Sequence, residues 1–469
     1  MLKLTRVAFQ LDVLEQDALE VLRLVRSWKN WMAPINRIPP EILSLVPDFL
    51  DMDHRDQDVI TLTHVCRAWR EVFVSRPSLW TNVDCVDLEQ TRVYLERSKS
   101  SPINLSLDSD FFEAELIPSA TGRLKSLYID AFSEDLEFIG THLSHPSPLL
   151  EVLSIRSYDD PVLPASLFNG NLSSLHELYL RSIRTELPWR NVANLTSFTF
   201  AYTSPPVSLA QLLDFFEGAP RLREVDIFSS IPIFGVRNGQ PVPLPCLQRM
   251  DTSSHASSHL FDHLLIPVGA RLTMGVDRLP RPAIGGRRPS FLDNLRNLPN
   301  FTTITFACGP ACMGLSGPNG AITMVSRDHQ DRPWLECLAH LDTSKTERLE
   351  IKYHEYQSSV PIYQALIPMK DLRTLKLDCS LGLDIFLGAL DPSFSSSGAV
   401  ACPRLEEIAI VAHSKFDLQH ILRAAEARAL GGMKLKAVTI AKPPAIVLPQ
   451  FEILELKKHV MHVGFGVGC

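Results

Sequence analysis

The chain has 469 residues, 45% hydrophobic and 21% charged, enough apolar material for a large core and too much for a disordered chain. Lys plus Arg (46) nearly balances Asp plus Glu (53), and the net charge of -7 gives no electrostatic basis for binding nucleic acid or an anionic membrane. Nine cysteines make no dense disulfide framework, and no run approaches the ~18 apolar residues of a membrane span, so an intracellular protein of cytoplasm and/or nucleus is expected.

Residues 1–33 read as one amphipathic helix. Val7, Leu11, Leu14, Ala18, Val21, Leu22, Val25 and Trp28 recur at steps of three and four, and Pro34 stops the pattern. The expectation is a helix packed on its own chain, with a partner-binding helix as the alternative. Its polar face is too acidic for a membrane surface. No uninterrupted apolar stretch of signal-peptide type is present.

Residues 34–83 carry three short helical signals. Ile38, Pro39, Pro40, Glu41, Ile42 and Leu43 open the first, which continues through Val46 and Leu50; Pro40 suits a first helical turn, where its missing N–H costs nothing. The second passes through Val59, Ile60 and Leu62. The third carries Val65, Cys66, Trp69, Val72 and Phe73, and Leu79 with Trp80 follows as an apolar plug. Three short helices bury little alone, so a covering partner is expected. Residues 84–100 read as a linker helix.

The strings IPPEIL, VCRAWREV and SLW, in that order, resemble an F-box, in particular the F-box-like form of mushroom-type fungi. YLERSKSSPINLSL at 94–107 resembles a continuation found in those proteins. Pro47 stands where the family usually has an aromatic in its first helix. Proline inside a helix costs about 3 kcal/mol, so the helix is expected to break there.

From 101 to 445 an apolar pattern at positions one, four and six recurs. Copies start at Leu124, Leu150, Leu175, Leu195, Leu222, Phe301, Leu372, Leu405 and Leu435, with weaker ones near Leu247, Leu272 and Thr346. A helix is predicted over Leu209–Phe216. Strand, loop, helix and turn repeating every ~20–30 residues is the signature of leucine-rich repeats, here degenerate. The predicted fold class is α/β: a helical F-box-like module, then a solenoid with one parallel curved sheet and helices on its convex side. Side chains between the core positions, namely Tyr128, Ser154, Tyr179, Thr199, Asp226, Thr305, Glu350 and Lys376, are expected on the concave face, where a target would bind. Residues 446–469 read as a C-terminal tail, Gly-rich from Val460 to Cys469.

Chemistry-bearing patterns are weak. Gly309–Gly320 has neither the Gly-Lys-Ser/Thr ending of a P-loop nor a dinucleotide fingerprint, and reads as a flexible loop. Cys308 and Cys312 have no second ligand pair at metal spacing. His255, His259 and His263 share a helical face with only Asp262 as a nearby carboxylate. Arg278, Arg281, Arg287 and Arg288 sit among Pro and Gly as a solvated insertion. No catalytic residue, cofactor or metal site is assigned.

The resemblance implies a non-catalytic substrate receptor of a Skp–cullin–F-box ubiquitin ligase. Adaptor docking would use Ile38, Pro39, Pro40, Glu41, Ile42, Leu43, Val46, Leu50, Val65, Cys66, Trp69, Leu79 and Trp80. The partners implied are a Skp-family adaptor, a cullin through it, and a protein substrate marked for ubiquitin-dependent degradation. A leucine-rich-repeat scaffold without a ligase role is the first alternative. An enzyme with its site in Gly309–Gly320 is the second.

Overall fold

The computed structural model describes residues 2–50, 55–85, 87–108, 117–132, 142–159, 161–163, 167–170, 172–184, 191–202, 207–229, 240–252, 260–261, 263–267, 269–276, 302–307, 311–317, 320–326, 343–353, 364, 366–379, 383–390, 401–413, 417–443 and 446–467. The chain divides into two compact units, residues 1–131 with 138–153, and residues 132–137 with 154–469. N-terminal helices are followed by parallel strands, an α/β organisation consistent with a leucine-rich-repeat-like solenoid.

In the first unit, α1 (Leu2–Met32) is a run of good helix formers without Gly or Pro. It ends where the Ala33 N–H reaches the Asn30 carbonyl at 3.1 Å and Pro34 opens a 3-10 turn. The expectation that this helix packs on its own chain is corrected, because every residue from 9 to 32 is exposed.

The next helices are α2 (Pro40–Leu43), α3 (Arg55–Thr63) and α4 (Arg67–Val74). The break expected at Pro47 is present. One turn of α2 ends at Leu43, and Pro47 is the buried second residue of a separate 3-10 turn, Val46–Phe49. There its fixed φ fits and no intrahelical bond is lost. Leu43, Val59, Trp69, Phe73, Leu79 and Trp80 form the module's core. β1 (Asn82–Asp84), α5 (Leu88–Arg97), β2 (Ile103–Asp108) and β3 (Leu124–Ala131) follow, with β1, β2 and β3 parallel. Asp87 caps α5 by accepting from the N–H groups of Glu89 and Gln90. Trp80 stacks edge-on to Tyr94 of α5, and the Arg97 guanidinium lies 4.3 Å over its ring.

β4 (Val152–Ser157) leads to β5 (Glu177–Arg181), β6 (Ser197–Ala201), α6 (Leu209–Glu217), β7 (Glu224–Phe228), β8 (Arg249–Thr252) and β9 (Arg271–Val276). From β5 to β9 the strands of the second unit pair in sequence order, all parallel. A capping box between Ser208 and Gln211 starts α6, which matches the predicted helix, and its Phe215 packs on Phe198 with ring centroids 4.6 Å apart. The positions read as one, four and six are buried: Leu175, Leu178 and Leu180, then Leu195, Phe198 and Phe200, then Leu222, Val225 and Ile227.

A backbone device recurs in several of the copies. The N–H groups of Arg223 and Glu224 both bond the Thr196 carbonyl, those of Gln248 and Arg249 bond Arg223, and those of Glu406 and Glu407 bond Arg373. In these copies one carbonyl satisfies the two N–H groups that enter the next strand.

Two expectations are corrected in this unit. Gly309–Gly320 is not a flexible loop along its length. β10 (Thr303–Ala307), β11 (Ala311–Gly317) and β12 (Gly320–Ser326) form an antiparallel meander set into the parallel sheet, with β12 beside β9. Alternating Met313, Leu315 and Ile322, Met324 supply the period of two, and Gly317 and Gly320 face each other at the turn. Beyond the meander, β10 pairs with β13 (Arg348–Tyr353), followed by β14 (Thr374–Cys379), α7 (Leu383–Gly388), β15 (Glu407–Ala412), α8 (Leu418–Leu430) and β16 (Ala437–Lys442). Nor is 446–469 a structureless tail. α9 (Gln450–His459) precedes β17 (His462–Val467), which pairs in parallel with β16. Val463, Phe465 and Val467 alternate with Gly464 and Gly466, a period of two that suits a strand.

Candidate protein-docking surfaces

The F-box-like motif residues divide by burial. Leu43, Trp69, Leu79 and Trp80 are core. Ile38, Val46, Leu50 and Cys66 are half-buried, while Pro39, Pro40, Glu41, Ile42 and Val65 are exposed. The Trp69 indole N–H donates to the Asn36 Oδ1 at 2.7 Å, which ties the preceding turn to α4. Trp80 donates to the Phe73 carbonyl at 3.0 Å. The Arg76 guanidinium donates to the Ser44 carbonyl and pairs with Asp48 at 3.1 Å, so it locks α2 and the Pro47 turn onto the end of α4.

With those polar groups satisfied, the module still exposes large apolar side chains: Ile35, Ile42, Leu45, Phe49 and Val65. Ile42 is 55% exposed and Phe49 87%. An aromatic, Phe49, stands two residues after Pro47 in the same 3-10 turn. It closes that turn, and its ring is left exposed there.

In the second unit one face of the sheet is core and the other is open. Along the open face, strand register sets Tyr179, Thr199, Asp226, Asp251, Thr273 and Thr323 side by side across β5–β9 and β12. Beyond the meander the same row continues as Thr305, Glu350 and Lys376. The six predicted target-facing residues that belong to paired strands here fall on one line, since each sits between two core positions. Ser154 is half-buried in β4. In the first unit, Tyr128 of β3 is 45% exposed.

The row carries two charged clusters. Arg249 Nη2 lies 2.7 Å from Asp226 Oδ2 and 3.4 Å from Glu224. Asp226 Oδ1 and Asp251 Oδ1 are buried and accept no hydrogen bond among the described residues. Burial first, then the neighbouring Asp226 charge, push the Asp251 carboxyl up, and Arg249 only partly offsets this. In the second cluster Lys376 Nζ is 2.7 Å and Lys352 Nζ 3.4 Å from Glu350 Oε1. Burial alone would raise the Glu350 carboxyl, but the bond to Lys376 and the two lysine charges outweigh it and hold it below the usual range. Asp251 and Arg249 were not among the predicted facing residues; they belong to the weak copy near Leu247, where Met250 and Thr252 fill the inner positions and the signal is faint.

His255, His259, Asp262, Cys308 and the four arginines from 278 to 288 lie outside the described residues. Among the described residues no metal-holding group of His, Cys, Asp and Glu occurs, and no helix is long and apolar enough to cross a membrane. Cys402 is buried, its thiol pushed up to about 12 by desolvation, which makes it inert.

A family model described as F-box-like matches residues 35–86. These residues form an F-box-like domain. Its bounds take in α2 to β1 and the exposed apolar set with them. The solved structure described as "Crystal structure of Rad7 and Elc1 complex in yeast" is similar to the chain at 12% identity, covering 92% of this chain and 95% of that one, with a TM-score of 0.30. Among curated proteins nothing matches.

Proposed function

We propose that the chain is the substrate-recognition subunit of a Skp–cullin–F-box ubiquitin ligase, of the kind found in mushroom-type fungi, acting in the cytoplasm or nucleus. The observation that carries this reading is the F-box-like domain whose tryptophans lie in its own core while Ile35, Ile42, Leu45, Phe49 and Val65 stay exposed. A Skp-family adaptor would cover those side chains and link the chain to a cullin. The open face of the second unit would hold the protein target, with Asp226 and Asp251 suited to a basic side chain and Tyr179 to an apolar or aromatic one.

In this reading the chain performs no covalent step and needs no cofactor. It raises the effective concentration of a target lysine near a charged ubiquitin carrier. The test is affinity purification of the full chain with the proteasome blocked, followed by identification of bound proteins. A Skp-family adaptor and a cullin are expected. A second reading, a protein-binding scaffold without a ligase, is favoured by the first helix being cut to one turn by Pro47. Target capture without any adaptor would support that reading instead.

A further inference from the structure

The helix α1 precedes the F-box-like domain in the chain, and its exposed apolar face does not depend on the ligase reading. It is helical from Leu2 to Met32, and residues 9–32 are exposed throughout, including Leu11, Leu14, Val21, Val25, Trp28 and Met32. These apolar residues follow a strict alternation of three and four: 11, 14, 18, 21, 25, 28 and 32. A mean step of 3.5 over three heptads is the seam for another helix, because a face packed on a sheet or a globular core follows 3.6 and drifts. With Leu11, Ala18, Val25 and Met32 at the a positions, Leu14, Val21 and Trp28 occupy d. Glu15, Leu22 and Lys29 then flank the seam at e, and Asp17, Leu24 and Trp31 at g.

Size and charge along this seam choose the partner. In a parallel pair Ala18 would face Ala18 and leave a hole, Trp28 would crowd Trp28, and Asp17 would lie beside Leu22. In an antiparallel pair centred near residue 19, Glu15 and Asp17 would lie beside Leu22 and Leu24. An antiparallel pair centred on Arg23 removes the Ala18 hole, the Trp28 crowding and the contact of Glu15 with Leu22, and leaves only Asp17, beside Trp31, on an apolar neighbour. Ala18 then faces Trp28 of the second copy, Val25 faces Val21, and Leu14 faces Met32. On the flanks Glu15 meets Lys29 twice by symmetry, while Leu22 and Leu24 cross the twofold axis to meet their own copies. The overlap, residues 14–32, runs about 28 Å along the helix.

We infer that α1 joins two copies of this chain through an antiparallel coiled coil centred on Arg23. The contact is self-complementary and closes on itself, so it makes a dimer and not a filament.

The experiment is sedimentation equilibrium on the full chain and three sets of variants, with circular dichroism to follow the fold. The parent is expected to be a concentration-dependent dimer. Val25→Glu places a carboxylate in the seam and should give a monomer with an unchanged melt of the remaining structure. Glu15→Lys and Lys29→Glu each turn two attractive pairs into repulsive ones, weakening the dimer about tenfold. Combining them restores the pairing in this arrangement alone. A parent that stays monomeric at its highest soluble concentration overturns the inference, as does a dimer indifferent to Val25→Glu. Failure of the double variant to recover overturns the antiparallel register.

Discussion

Ile42→Asp separates docking from folding. Ile42 is 55% exposed on α2, so in the free chain the new carboxylate faces water and the cost to the fold stays within about 0.5 kcal/mol. Under an adaptor two terms appear. Covering the exposed half of an isoleucine is worth about 1–1.5 kcal/mol, half the value for full burial, and that is lost. Burying an unpaired carboxylate in its place costs about 2 kcal/mol or more. Together these exceed about 3 kcal/mol, more than a hundredfold in affinity. Titration calorimetry of a Skp-family adaptor into the full chain measures the change directly. Leu43, the adjacent residue, is buried, so Leu43→Asp should lower the melting temperature where Ile42→Asp does not. An unchanged dissociation constant for Ile42→Asp, with the parent binding, would refute the assignment of this face to the adaptor.

Trp69→Ala removes a buried ring and the bond that ties Asn36 to α4, and should cost the first unit about 3–5 kcal/mol, read as loss of amide-exchange protection over residues 55–80. Protection equal to the parent's would place Trp69 outside the core. Arg428 is fully buried on α8 and donates to the carbonyls of Ala401, Cys402, Pro403 and Leu405, so Arg428→Met strands these acceptors and should lower stability by about 3–5 kcal/mol in urea unfolding. Asp251 has a folded-state pKa raised by burial and then by Asp226, so its contribution is fully present below its unfolded pKa and is lost as pH rises through the folded value. Asp251→Asn should therefore be more stable than the parent at pH ~7, with the gap closing as pH falls towards about 4; a less stable variant at neutral pH would mean that the carboxylate is paired.

The sequence by itself determined which residues are core and where the copies begin. Apolar side chains at one, four and six, alternating with polar ones, leave a strand only one face to bury, and Leu178, Phe198, Val225, Leu375 and Ile408 all do so. That same alternation put Thr199, Asp226, Thr305, Glu350 and Lys376 on the open face before any register was known. The F-box-like motif was legible because its landmarks are local. Tertiary structure decided the rest. Whether Trp69 and Trp80 point out or in depends on Asn36, Phe73 and Tyr94, which no spacing rule connects to them. Short apolar runs with glycine, such as 311–317 and 462–467, suit loop or strand equally, and become strands because a neighbouring strand offers unpaired N–H and C=O groups in register. The exposure of α1 was likewise invisible in the sequence: an amphipathic helix records that it has an apolar face, and only the packed chain shows whether anything within it covers that face.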